Sequence, residues 1–172
     1  MVTGTAQDII TYLFDVDKKA IWDLVPHKEK RRLTQNSYYW KLLEMLTVKT
    51  HIPKAEIHNT NLRALGLIER MGDKPIYIML EDTEEVEKKT LLAETYHLAP
   101  RRETKVGKDG KTYRWYVMLK GSSSMNVEEM SALVDLAVQD AIANGIEVLT
   151  PNELAHMREL EKNHGRRMEN NS

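Results

Sequence analysis

Apolar residues recur with helical spacing along most of the chain and with strand-like spacing in three shorter segments. The helical spacing covers 6–20, 34–46, 53–66, 126–145 and a segment from residue 150, and an acidic helix start lies at 81–89. The strand-like segments are 21–26, 75–80 and 112–119. These elements predict an α+β fold in which helices dominate and the β-structure is a small antiparallel sheet or hairpin.

Capping residues predict where the C-terminal helices begin and end. Asn126 and Glu129 have the spacing of a capping box, and the helix that they start is predicted to end at Gly145. Thr150 and Glu153 enclose a proline at the first helical position, which predicts another helix start.

We expect that last helix to fray before Gly165, with 164–172 as a disordered C-terminal tail. The chain has 172 residues and shows no internal repeat or long linker, so 1–163 is predicted to be a single domain. It has no cysteine, no secretion signal and no apolar run of the ~18 residues that a membrane span needs. These observations favour a soluble cytoplasmic protein without a membrane partner.

No motif in the sequence nominates a catalytic residue, a metal site or a cofactor. The six histidines form no HExxH or HxH pair, and we interpret them as surface or capping residues. No glycine-rich phosphate loop is present, and Ser122, Ser123 and Ser124 lack the GxSxG context of a nucleophile. The acidic run at 81–87 is interpreted as a solvated helix face. The prediction is therefore a protein without enzymatic activity and without a metal or cofactor.

A basic, aromatic-rich segment at 101–116 has the composition of a single-strand-binding hairpin. Lys108, Asp109, Gly110 and Lys111 supply the turn, and Tyr113, Trp115 and Tyr116 follow it. Cations contact phosphates while aromatic rings stack on unpaired bases. The segment's candidate DNA-binding residues are Arg101, Arg102, Lys105, Lys111 and Arg114. The alternative is an ordinary hairpin that carries aromatic rings on its buried face and lysines on its solvated face.

A second basic segment, KRRLTQNSYYW, occupies residues 30–40. Thr34 is the predicted N-cap of a helix, and free backbone N–H groups in a first helical turn favour an anion. Its candidate phosphate-binding residues are Lys30, Arg31, Arg32, Gln35 and Asn36. Tyr38 and Trp40 are expected to pack into the core. The alternative is a solvated charged connector.

Two blocks of the sequence resemble the NinB/Orf family of bacteriophage recombination proteins. One block is Arg31-Arg32-Leu33-Thr34-Gln35-Asn36 followed by Tyr39-Trp40. The other runs from Ser122-Ser123-Ser124-Met125 through Glu128-Glu129-Met130 and Gly145-Ile146-Glu147 to the helix that starts at Thr150-Pro151-Asn152-Glu153. The resemblance covers roughly 6–47 and 112–162, and the segment 50–110 has no counterpart in it.

The resemblance implies a recombination mediator without enzymatic activity. Such a protein forms a homodimer, binds single-stranded DNA and assists recombinase loading together with the host single-strand-binding protein. In a phage-encoded protein this takes place in the bacterial cytoplasm. Two other hypotheses stay open at this point: a metal-dependent DNA nuclease, and a protein-only adaptor that uses the acidic run at 81–87.

Overall fold

The structure, a computed structural model, describes residues 34–169, with side chains described for 34–163. The helix predicted at 6–20 and the strand predicted at 21–26 lie outside the described residues. All described residues belong to one compact unit. That residues 1–33 belong to the same domain stays a prediction.

Five α-helices make up most of the described chain. They are α1 (Gln35–Thr50), α2 (Lys54–Leu65), α3 (Glu84–Leu91), α4 (Val127–Ala143) and α5 (Pro151–Glu169), with a 3₁₀ turn at Ser122–Ser124. Helix α5 extends past Gly165, where the sequence predicted fraying and a tail. A single glycine inside a helix costs only about 1 kcal/mol, so it does not by itself end the helix.

The predicted helix caps are confirmed. Thr34 Oγ1 accepts a hydrogen bond from the Ser37 N–H at the start of α1. At the start of α4, Asn126 and Glu129 exchange two hydrogen bonds of 2.8 Å, which is the predicted capping box. Gly66 lies directly after α2 with a positive φ of 70°, a conformation that glycine adopts without strain.

The β-structure consists of two small antiparallel sheets. Strands β1 (Arg70–Met71) and β2 (Lys74–Pro75) form one, and β3 (Tyr77–Glu81), β4 (Leu98–Val106) and β5 (Thr112–Met118) form the other. The larger sheet has the order β3-β5-β4, so β5 is central and both neighbours are edge strands. The predicted hairpin is confirmed as β4 and β5.

One hydrophobic core joins the helices to the inner end of the sheet. Leu43 of α1 and Leu133 of α4 are fully buried in it, and Val117 and Leu119 contribute from β5 and the residue after it. The expected burial of the aromatic residues after Asn36 is confirmed, since Tyr38 and Tyr39 are buried and Trp40 packs against the core. The helix-dominated α+β class is therefore confirmed. None of the helices among the described residues combines the length and apolar character needed to cross a bilayer.

Candidate nucleic-acid interface

The candidate interface is built on the β4–β5 hairpin. Its turn is closed by the Gly107 N–H, which donates to the Lys111 carbonyl at 2.8 Å, and Gly110 has a positive φ of 77°. The Tyr113 ring covers the turn so closely that a Cβ atom on Gly107 would lie 2.7 Å from it. The Tyr113 hydroxyl also donates to Asp109 at 2.6 Å. These contacts hold the tip of the hairpin in one conformation.

The strand register divides the aromatic residues of β5 between two faces of the sheet. Trp115 is opposite Met79 and Tyr113 is opposite Glu81 and Lys105, so these residues share one face. Tyr116 points to the other face, where it is 1% exposed. Tyr116 therefore fits the alternative of an ordinary hairpin with aromatic rings on its buried face, whereas the exposed Trp115 does not.

An exposed apolar surface lies on the Trp115 face. Trp115 is 38% exposed, Met79 is 42% exposed and Tyr77 is 48% exposed. Tyr77 is two residues from Met79 on the same strand, and Tyr113 is two residues from Trp115 on its strand. We call Tyr77, Met79, Tyr113 and Trp115 the aromatic patch.

A bulge in β4 places two arginines beside the aromatic patch. Pro100 pairs with Tyr116 and Thr104 pairs with Arg114, so three β4 residues lie opposite Trp115 alone. The three residues are Arg101, Arg102 and Glu103, and all are exposed. A bulge bends an edge strand and redirects its side chains, and bulges are frequent next to functional sites.

The cations of β4 are largely free of carboxylate partners. Arg101 lies 3.7 Å from Glu103, a loose and exposed pair. Arg102 and Lys105 are exposed, and neither forms an ion pair with any residue between 34 and 163. Their charges are therefore available to an external anion.

The other two predicted cations of the hairpin are already paired. Lys111 donates to Glu81 at 3.0 Å, and this carboxylate raises the pKa of Lys111. Arg114 Nη2 donates to Asp82 Oδ2 at 3.1 Å, and its Nε forms an ion pair with Oδ1 of the same carboxylate at 2.8 Å, on the face opposite Trp115. Arg114 therefore lies on the opposite face of the sheet from Lys105, because alternate strand residues point to opposite faces.

On the Tyr116 face, hydrogen bonds and ion pairs connect polar and charged side chains of the fold to one another. The Tyr116 hydroxyl donates to Glu87 at 2.9 Å, and burial together with this carboxylate raises the pKa of Tyr116 to about 12. Glu87 also accepts from Arg63, whose side chain donates to the Leu98 carbonyl and to Thr90. These bonds join α2, α3, β4 and β5.

A groove of about 620 Å³ opens on the same face, beside α3. Its charged lining residues are Glu56, Asp82, Glu84, Glu87, Lys88 and Arg114. Two of its carboxylates, Asp82 and Glu87, are held by arginines within the fold. Across the described residues, no three His, Asp or Glu side chains converge in a way that could hold a metal ion.

The first turn of α1 has a different role from the predicted one. Gln35 is fully buried; its amide donates to Glu161 at 2.7 Å and to the Val127 carbonyl at 3.2 Å, and its oxygen accepts from Ser131 at 2.6 Å. Its backbone N–H donates to Glu161 at 3.1 Å. The Glu161 carboxylate thus occupies the place assigned to a phosphate, and the prediction for Gln35 is wrong. Asn36 is exposed and stays a candidate, while Lys30, Arg31 and Arg32 lie outside the described residues.

Replacing Gln35 with Ala is expected to lower the free energy of unfolding by about 1–3 kcal/mol, because Ser131 and Glu161 lose their buried partner. Chemical denaturation measures this change. Asn36→Ala, at the neighbouring exposed position, serves as the control and is expected to stay within about 0.5 kcal/mol of the parent protein. Equal stability of the two variants would contradict the structural role of Gln35.

A contact between a buried histidine, His58, and a half-buried one, His97, was not expected from the sequence. His58 is 4% exposed and its Nδ1 lies 2.9 Å from the Tyr39 hydroxyl. His97 lies 2.8 Å from the Asn59 side-chain oxygen, and the two imidazole rings are 4.9 Å apart. The interpretation as a surface or capping residue is wrong for His58 and is confirmed for His51, which caps α1. His58 belongs to no local motif that would have revealed its burial.

The structure therefore brings Arg101, Arg102 and Lys105 beside Trp115. It places Arg114 on the other face, and it joins Gln35 to α4 and α5 rather than to the hairpin. The resemblance to the NinB/Orf family rests on the quoted sequence blocks alone. No protein-family model matches this chain, and no characterised protein or solved structure gives a significant match.

Proposed function

We propose that this protein binds single-stranded DNA through its β4–β5 hairpin. The observation that carries the proposal is the position of Arg102 and Lys105, two exposed cations without a carboxylate partner among residues 34–163, next to the exposed Trp115. Cations at such positions neutralise DNA phosphates and release the counterions condensed on the DNA, which supplies sequence-independent affinity. The chain has a net charge of −1, so this local cluster, and not the overall charge, attracts the DNA.

The biological role that fits this binding is that of a phage-type recombination mediator. The resemblance to the NinB/Orf family supports this role. The same resemblance supports a homodimeric state and cooperation with the host single-strand-binding protein in recombinase loading. In this role the protein acts in the bacterial cytoplasm, and it positions DNA without cleaving it.

Two other functions have less support. A nuclease that uses two metal ions needs converging carboxylates, and the described residues bring no such group together. An adaptor that uses the acidic run needs free carboxylates, whereas four of its five carboxylates, those of Glu81, Asp82, Glu85 and Glu87, are paired with a cation of the fold. Mobility-shift assays with single- and double-stranded oligonucleotides, with and without Mg²⁺, separate these functions from the proposed one.

The double variant Arg102→Ala/Lys105→Ala is expected to weaken binding of a single-stranded oligonucleotide roughly tenfold at low salt. Log K falls as log salt rises, and each lost phosphate contact makes this negative slope shallower by about 0.7. For the double variant the slope is therefore expected to be shallower by about 1.4. Fluorescence anisotropy at several salt concentrations measures both quantities.

The matched control is Lys41→Ala/Lys49→Ala, which removes two exposed cations from α1. It changes the net charge equally and is expected to leave the slope near that of the parent protein. A hairpin variant with an unchanged slope would overturn the assignment of the hairpin. The pair Arg31→Ala/Arg32→Ala, in the same assay, tests the other predicted basic segment.

A further inference from the structure

The aromatic patch is too apolar for a surface that only contacts phosphates. Three of its side chains are more than a third exposed. Ile78 and Leu80, which alternate with Tyr77 and Met79 along β3, lie on the opposite face and are less exposed. Single exposed apolar residues are common on proteins, but contiguous ones mark interaction sites. Met79 and Trp115 are direct cross-strand neighbours, so the patch is contiguous.

The geometry of the patch suits separate flat groups. Tyr77 pairs with Val117, and Trp115 is two residues from Val117 on the same face. Tyr77 and Trp115 therefore occupy diagonal positions, which lie about 7–8 Å apart in an antiparallel sheet. At this separation each ring is able to accept its own planar partner. Met79 lies between them and supplies a polarizable thioether contact.

The charges around the patch select the kind of partner. The bulge puts Arg101 and Arg102 opposite Trp115, and Lys105 lies opposite Tyr113 on the same face. A partner seated on the patch therefore has flat apolar groups flanked by negative charge. Unpaired bases on a phosphate backbone combine these two properties, whereas paired bases do not expose their flat surfaces.

We infer that the aromatic patch stacks unpaired bases, with Trp115 and Tyr77 as separate base-stacking positions. This inference rests on the proposed function and extends it, since phosphate contacts alone hold single and double strands alike. Stacking on Trp115 makes the protein prefer single strands, and because every base has a flat surface it adds little sequence preference.

Trp115→Ala is expected to weaken binding of a labelled oligothymidylate to the protein roughly 5- to 150-fold, which is the range found for loss of one stacked base. The slope of log K against log salt is expected to stay at the parent value, because no phosphate contact is removed. Trp115→Phe retains a ring and is expected to recover most of the affinity. Binding to a duplex of the same length is expected to change less than threefold.

Val48→Ala is the matched control, because Val48 is an exposed apolar residue on α1. Circular dichroism of each variant establishes that it is folded. Photocrosslinking of the parent protein to an oligonucleotide that carries 5-bromodeoxyuridine gives a measurement that does not depend on any variant. We expect the crosslinked peptide to contain Trp115 or Tyr77, rather than Trp22 or Trp40.

The results separate this inference from the proposed function. If Trp115→Ala binds the oligonucleotide as tightly as the parent protein and no crosslink reaches β3 or β5, the stacking inference fails while the proposed function stands. If the parent protein binds no nucleic acid, the proposed function itself fails. A variant that changes only the sedimentation coefficient would assign the patch to contact between two copies of the chain and would overturn stacking.

Discussion

Replacing Arg63 with Met is expected to lower the free energy of unfolding by about 2–4 kcal/mol, since removal of one partner leaves a partly buried charge uncompensated. Arg63 donates to Glu87, to Thr90 and to the Leu98 carbonyl, and its side chain is 18% exposed. Met keeps most of the aliphatic volume but none of these bonds. Equilibrium denaturation by urea measures the change.

The control for this substitution is Lys89→Met on α3, the helix that also carries Glu87. Lys89 pairs with Glu85 in one turn, but both side chains are at least 70% exposed. Pairs of this kind contribute little, so a change below about 0.5 kcal/mol is expected. If both variants lose the same stability, the links from α2 to β4 and β5 through Arg63 do not hold the sheet in place.

Acidification from pH 7 to pH 4 is expected to cost the protein about 3 kcal/mol of stability through His58 alone. Burial lowers the pKa of His58 to about 4, and the neighbouring His97 adds to the effect. The unfolded chain protonates this histidine near pH 6.5 while the folded protein does not. The stabilising contribution is therefore complete above pH 6.5, is reduced by about 2 kcal/mol at pH 5, and is lost as the pH falls to about 4.

His58→Gln isolates this effect, because an amide oxygen is able to accept from the Tyr39 hydroxyl but does not titrate in this range. We expect the difference in stability between the parent and the variant to shrink steadily between pH 6.5 and pH 4. His156→Gln, at an exposed position of α5, is the control for the exchange of a histidine for a glutamine. A constant difference between the parent and His58→Gln across this range would show that His58 is not buried in its neutral form.

Much of the fold was predictable because its signals are local. The capping box of Asn126 and Glu129 and the glycine-containing turn before β5 depend on residues a few positions apart. The aromatic and β-branched residues along β5 also predicted a strand, because one face of a strand in a small sheet is buried. The end of α5 was misplaced because the penalty of one glycine is small compared with the bonds of a continuing helix.

The candidate site was predictable only in part. Composition pointed to the hairpin, but it did not reveal that Lys111 and Arg114 are neutralised by Glu81 and Asp82, which are about 30 residues away. Nor did it predict the bulge at Arg101–Glu103, because strand register depends on the pairing of whole strands. Gln35 was predicted to contact a phosphate, but the carboxylate of Glu161, 126 residues away, occupies that position.

The sequence by itself determined the helices, their caps, the hairpin and the presence of cations beside aromatic residues, because each depends on short-range bonds and on periodicity. Only the tertiary structure decided which of those cations are free and which rings are exposed. Those outcomes depend on partners that lie far apart in the chain, such as Asp82 for Arg114 and Glu87 for Tyr116. Folding brings these partners together by burying a shared core. Arg102 and Lys105, which pair with no carboxylate in the described part of the chain, and the exposed Trp115 form the surface that we assign to DNA.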